Sequence, residues 1–261
     1  MTTIHPVHAT CAVCGTVSEH EVLGSTNSMG PPDLDMRPAP MARWTLGEQI
    51  QQCPECGYCA RDISIATGAA AQVVRNQAYL AELAREDYPE LTRRYLCASL
   101  ILSVDGEDGH AGKAALMGAW AADDVADVQS ADPMATDDWG SALPREVNPV
   151  EEERRRAAAD AAAHCRRLAI GYFEADRKRG PTFAADQDTA DAVLADLHRR
   201  VGDFESARSC AQAGIARGAS GFVLEVFRFQ MLLCDRGDTG CHNAEEAQMG
   251  LGGSGLDLLF G

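Results

Sequence analysis

Cys53-Pro54-Glu55-Cys56-Gly57-Tyr58-Cys59-Ala60 echoes, 38 residues on, the earlier run Cys11-Ala12-Val13-Cys14-Gly15, and this pairing decides how the first part of the chain must fold. Each run is a C-x-x-C-G knuckle. The short turn lets two thiolates grip one tetrahedral metal, and glycine accepts a positive φ behind the second ligand. Two knuckles supply four sulfurs, Cys11, Cys14, Cys53 and Cys56, which close the shell of a structural Zn²⁺ and leave no open position for chemistry. An iron–sulfur centre also accepts four thiolates, but two compact knuckles at ribbon spacing favour zinc. A thioredoxin-type dithiol needs a helix N-terminus in a βαβ unit, and neither pair has that setting. His8, three residues before Cys11, is a possible accessory ligand. Cys59, three residues past Cys56, reads as a buried neighbour, a replacement ligand or a reactive thiol beside the metal.

Outward from the knuckles, residues 1–62 have the texture of a small metal-stapled module, too poor in large apolar side chains to fold unaided. Thr16-Val17 and Arg43-Trp44-Thr45-Leu46 are its candidate ribbon strands. The stretch from Gly24 to Pro38 is rich in turn formers and excludes regular helix. Within it, Asp33, Asp35 and Arg37 sit among Pro31, Pro32 and Pro38. They form either a rigid polar recognition loop or a segment that wraps the ribbon and caps its own turns.

From about Ile63 the chain becomes Ala-rich and helical in period. Helices are expected over 72–86, 90–104 and 111–125, with residues 126–148 as a polar loop. Asn148-Pro149 followed by Glu151, Glu152 and Glu153 opens a helix that runs to about Arg179, before Gly180-Pro181. Its inner stripe, Ala158, Ala161, Cys165, Leu168 and Tyr172, is built for close packing. Further helices follow over 187–201, 204–217 and 221–235. Residues 236–261 read as a flexible Gly-rich tail ending in the apolar Leu256–Phe260, either a docking peptide or a plug that folds back.

Leu197-His198-Arg199-Arg200-Val201-Gly202-Asp203-Phe204 has the helix–turn–helix texture of a tetratricopeptide repeat, although His198 and Ala211 stand where that repeat favours large aromatics. The order of parts resembles a bacterial family catalogued as domain of unknown function 2225. Both knuckles, the continuation Gly57-Tyr58-x-Ala60 and the 197–204 stretch carry that resemblance, which covers most of the chain to about residue 235. Cys59 is a fifth sulfur that the pattern does not require. The resemblance implies a zinc-binding head and a repeat-type body, and it supplies no activity. The expected fold is therefore mainly α: a small four-cysteine zinc-ribbon module (1–62) followed by a tetratricopeptide-like helical-repeat domain (63–235).

Charge narrows the partners. Lys and Arg number 23 against 39 Asp and Glu, a net charge of −16, and such a surface repels phosphate backbones. The runs Arg154–Arg156 and Arg177–Arg179 lie beside acidic residues and read as a solvated helix face. The N-terminus lacks the features of a signal peptide, no apolar run reaches membrane-spanning length, and the scattered Cys97, Cys165, Cys210 and Cys234 read as reduced core thiols. The expectation is a cytoplasmic protein- or peptide-binding scaffold without catalysis, with neither nucleic acid nor membrane as partner. The alternative is a redox-sensing or enzymatic role for Cys59 or the Asp33/Asp35/Arg37 loop.

Overall fold

Aspartate and asparagine side chains cap the starts of several helices. In the computed structural model, which describes residues 2–126 and 148–252, the chain is mainly helical. Its helices are α1 (Ala70–Val73), α2 (Gln77–Leu83), α3 (Glu90–Val104), α4 (Asp108–Ala126), α5 (Pro149–Arg177), α6 (Gln187–Arg200), α7 (Phe204–Ala216), α8 (Gly221–Asp235) and α9 (Ala244–Gly252). The Asn148 side chain accepts from Val150 N at 3.0 Å and opens α5, with Pro149 in its first turn. Asp186 accepts from Thr189 N at 2.7 Å to open α6, and Asp203 from Ser206 N at 3.1 Å to open α7. Between α6 and α7, Gly202 adopts φ +82°. The bond from Asp203 N to His198 O, 2.9 Å, closes the end of α6 in the manner of a Schellman cap.

Two regions depart from the sequence reading. The single helix expected over 72–86 is two short ones, because Asn76 turns extended and its side chain accepts from Ala78 N at 3.0 Å. A short polar side chain that bonds its neighbouring backbone competes with helix continuation. The tail from Arg236 is ordered through α9, with Ala247 buried against α8. The polar loop expected over 126–148 falls almost wholly, and Leu256–Phe260 wholly, outside the described residues.

The head is built of two hairpins. β1 (Thr3–Thr10) pairs antiparallel with β2 (Val17–Ser25), from Thr10↔Val17 beside the first knuckle to Thr3↔Ser25 at the far end. β3 (Gln51–Gln52) pairs with β4 (Cys59–Ala60) around the second knuckle. Arg43-Trp44 is not a strand: Ala42–Trp44 is a 3-10 turn, followed by a second over Gly47–Gln49.

Packing is between consecutive helices: α3 lies on α4, α4 on α5, α6 on α7 and α7 on α8, with α6 also reaching α8. The α4–α5 seam is made of small side chains. Gly109, Gly112 and Gly118 of α4 lie against Asp176, Phe173 and Cys165 of α5, and Ala115, Ala119, Ala122, Ala158, Ala161 and Ala169 are buried, so the two helices pack closely. One apolar core runs without a break from Ala9 and Cys11 in the head through Tyr79, Tyr95 and Phe173 to Leu197 and Cys210. A second core lies under α7, α8 and α9 and takes in Leu34 from the head's long loop. Head and body thus share their interior.

Candidate metal centre

The two knuckles are built alike. Cys11 N donates to Thr16 O (2.9 Å) and Gly15 N to Cys11 O (2.8 Å); Cys53 N donates to Tyr58 O (2.8 Å) and Gly57 N to Cys53 O (3.0 Å). Gly15 and Gly57 hold φ +80° and +71°. This local chemistry aims all four thiols at one point.

The sulfurs of Cys11, Cys14, Cys53 and Cys56 lie within 4.8 Å of one another, and among the described residues this is the group of metal-ligating side chains that converges so closely. Across the knuckles, Cys11 Sγ stands 3.7 Å from Cys56 Sγ and Cys14 Sγ 3.5 Å from Cys53 Sγ. A tetrahedral shell with metal–sulfur bonds of about 2.3 Å has sulfur–sulfur edges of about 3.8 Å, so the donor set fits a four-thiolate metal ion. Cys11 and Cys53 are buried, Cys56 is half-buried and Cys14 is exposed. The Thr16 hydroxyl, and then its backbone N–H, hold the Cys14 thiol down at about 6, whereas burial pushes Cys53 and Cys56 up. A metal cation offsets that cost of burying thiolate charge.

The accessory candidates do not join this group. His8 lies on β1 with its side chain largely in solvent, 3.5 Å from Glu19 across the hairpin. Cys59 is buried in the shared core, its thiol 3.3 Å from Gly57 O. Its backbone N–H donates to the Tyr79 hydroxyl (3.0 Å), which itself donates to Gly57 O (2.8 Å). Of the three readings open for Cys59, the geometry matches that of a buried neighbour.

The Asp33/Asp35/Arg37 loop faces inward, and all three residues are buried. Asp35 accepts from Trp120 Nε1 of α4 at 2.9 Å and from Arg37 N at 3.1 Å, and Arg200 of α6 stands 3.5 Å from it. Arg37 pairs with Asp124 at 2.6 Å, and Asp33 with Arg43 at 2.5 Å. The loop backbone also joins the C-terminal segment, Leu34 N donating to His242 O and Ala244 N to Pro32 O, both at 2.9 Å. These three side chains therefore offer a partner no exposed polar surface. The loop turns outward instead through Met29, Met36 and Trp44, exposed by 70%, 47% and 68%.

The roles of Thr16, Tyr79, Trp120 and Arg200 around these segments were not read from the sequence. Thr16 has a local signal, a hydroxyl two residues past a ligand. The other three act across long sequence separations that spacing does not reveal. The chain matches no protein-family model, no curated protein and no solved structure.

Proposed function

We propose that the chain is a zinc-binding interaction protein, of the two-part kind implied by its resemblance to domain of unknown function 2225. Zn²⁺ at Cys11, Cys14, Cys53 and Cys56 is structural in this reading. The observation that carries it is the closed shell of four sulfurs, whose cross-knuckle edges of 3.5 and 3.7 Å suit a zinc tetrahedron and whose ligands come from both hairpins. With four sulfurs bound, no position is left for substrate or water.

The interaction half rests on the long loop. Met36 and Met41 both hold positive φ, 68° and 77°, a conformation that costs a non-glycine residue about 1–3 kcal/mol and persists only where the surroundings enforce it. Here the Asp33–Arg43 and Arg37–Asp124 pairs, each anchored by its buried member Asp33 or Arg37, brace the loop, and Met29, Met36 and Trp44 are left in solvent. Exposed methionine and tryptophan on a braced loop suit an apolar peptide segment, and the net charge of −16 favours a basic one. The packing of α6 on α7, α7 on α8 and α6 on α8 agrees with a tetratricopeptide-like repeat in the body. Ten reduced cysteines and no helix long and apolar enough to cross a membrane among the described residues suit a cytoplasmic setting.

The test has two arms. Elemental analysis of the purified chain is expected to find one zinc per chain, lost on Cys53→Ser. Affinity purification from the native host, run in parallel with Trp44→Ala and Asp35→Asn, is expected to lose its partner with the first. A partner retained by Trp44→Ala would move the binding surface elsewhere.

A further inference from the structure

The four sulfurs are not equally accessible. Cys11 and Cys53 are 1% and 0% exposed, while Cys14 is an exposed residue whose sulfur lies 3.5 Å from that of Cys53. Cys56, 3.7 Å from the buried Cys11, is only half-buried, and the thiols outside the shell lack one half of this arrangement. Cys59, Cys97, Cys165, Cys210 and Cys234 are all buried, with at most 9% exposure. Cys241 is exposed, but its sulfur faces the Asp33 carboxylate at 3.3 Å.

We infer that Cys14 is a site of oxidation by peroxide, and that its product is a Cys14–Cys53 disulfide which expels the metal and takes over its stapling role. This rests on the reading of the four cysteines as a zinc site. A metal-held cysteine is already a thiolate, which is the nucleophilic form. Cys14 sulfur attacks one peroxide oxygen; the O–O bond breaks, leaving a sulfenic acid on Cys14 and a hydroxide that takes a proton to become water. The Cys53 thiolate then attacks the Cys14 sulfur. The S–O bond breaks, the S–S bond forms, and the second hydroxide leaves as water after taking another proton. Two sulfurs have lost two electrons to one peroxide. Only Cys11 and Cys56 remain as thiolates, too few to close a four-sulfur shell, and the ion is released.

Closing the bond shortens the 3.5 Å sulfur separation to about 2.05 Å, a movement within the reach of side-chain rotation at an exposed cysteine. The new bond joins the first knuckle to the second across the same loop that the metal closes. Oxidation and chelation therefore lead to different zinc-free proteins. The oxidised one keeps its hairpins tied, and the chelated one does not.

The test uses the full zinc-loaded chain and one equivalent of hydrogen peroxide. Released zinc is followed by a colorimetric chelator, and thiols are mapped by differential alkylation and peptide mass analysis. The expected result is one zinc released per peroxide consumed, a linked Cys14–Cys53 peptide, and a thermal midpoint above that of the chelated protein. Cys241→Ser and Cys59→Ala are expected to release zinc as the parent does. Zinc retained through peroxide treatment, or a linkage other than Cys14–Cys53, overturns the proposal and leaves the structural zinc reading standing. A chain that carries no zinc before peroxide is added overturns both.

Discussion

Gly15 and Gly57 occupy equivalent turns at φ +80° and +71°, yet their surroundings differ. A Cβ at Gly15 would meet nothing within 4 Å, whereas one at Gly57 would stand 2.4 Å from Leu83 Cδ2 of α2. Gly15→Ala should therefore cost only the left-handed backbone penalty, about 1–2 kcal/mol. Gly57→Ala should cost that plus about 1–3 kcal/mol for displacing a packed side chain. Denaturant midpoints of the two variants measure the difference, and equal losses would show that Leu83 gives way freely. The turn requirement at both glycines was legible in the sequence, as were the four ligands, because knuckle geometry is local. What Leu83 and Tyr79 do at the second knuckle was not, since nothing local distinguishes a brace from an ordinary helical apolar residue. Core thiols were legible as well: Cys165 reads as a small hydrophobe, and burial pushes its thiol up to about 12.

Among the elements, the longer helices were read well, and the short helices and the strands were not. α3, α6, α7 and α8 start and stop within a residue or so of their expected bounds: Asp186 and Gly202-Asp203 supply the caps and stop of α6 and α7, while α3 starts after Pro89 and α8 after Ser220 with no side-chain cap. Of the β1–β2 hairpin only Thr16-Val17 was read as strand, because its exposed face carries Ile4, Pro6, His8 and Glu19 in no clean alternation, and Pro6 weakens any strand pattern. α9 was read as tail because its composition is polar and its anchor, Ala247, is a single small side chain. The caps give this scale its prediction. The Thr189 backbone N–H and then its hydroxyl, both donating to Asp186, hold that carboxyl below the usual carboxylate range. A depressed native value means the cap's contribution is present above the ordinary aspartate pKa of about 3.9, and is lost as pH falls through the lower native one. Asp186→Ala should cost about 1 kcal/mol at pH 7 and progressively less toward pH 2, whereas Asp186→Asn should cost little at pH 7. Thermal midpoints of the three proteins across that range check it, and a pH-independent Asp186→Ala loss would contradict an ionised cap.

For the whole molecule, the sequence suggested a metal-stapled head beside an independent helical body, and the structure joins the two. Tyr95 of α3 donates to Leu46 O at 2.7 Å, Ala12 N donates to Ile63 O at 2.9 Å, and both hairpins share an apolar core with α3, α4 and α5. The long loop adds a second tie, because Asp35 is fully buried between Trp120 and Arg200. Removing one member of a buried, hydrogen-bonded charge group leaves its partners unsatisfied and costs about 3–5 kcal/mol, so Asp35→Ala should destabilise α4 and α6 although the residue belongs to the head. The same coupling changes what metal removal is expected to do. With separate parts, chelation would unfold residues 1–62 and leave the melting of the helices where it was. With a shared core, chelation loosens the two knuckles, exposes Tyr58 and Tyr79, and withdraws apolar contacts from α2 and α3. The helical circular dichroism at 25 °C should then persist while its thermal midpoint falls, and Asp35→Ala should lower that midpoint with no chelator present. A helical midpoint unmoved by both treatments would return the protein to two independent parts.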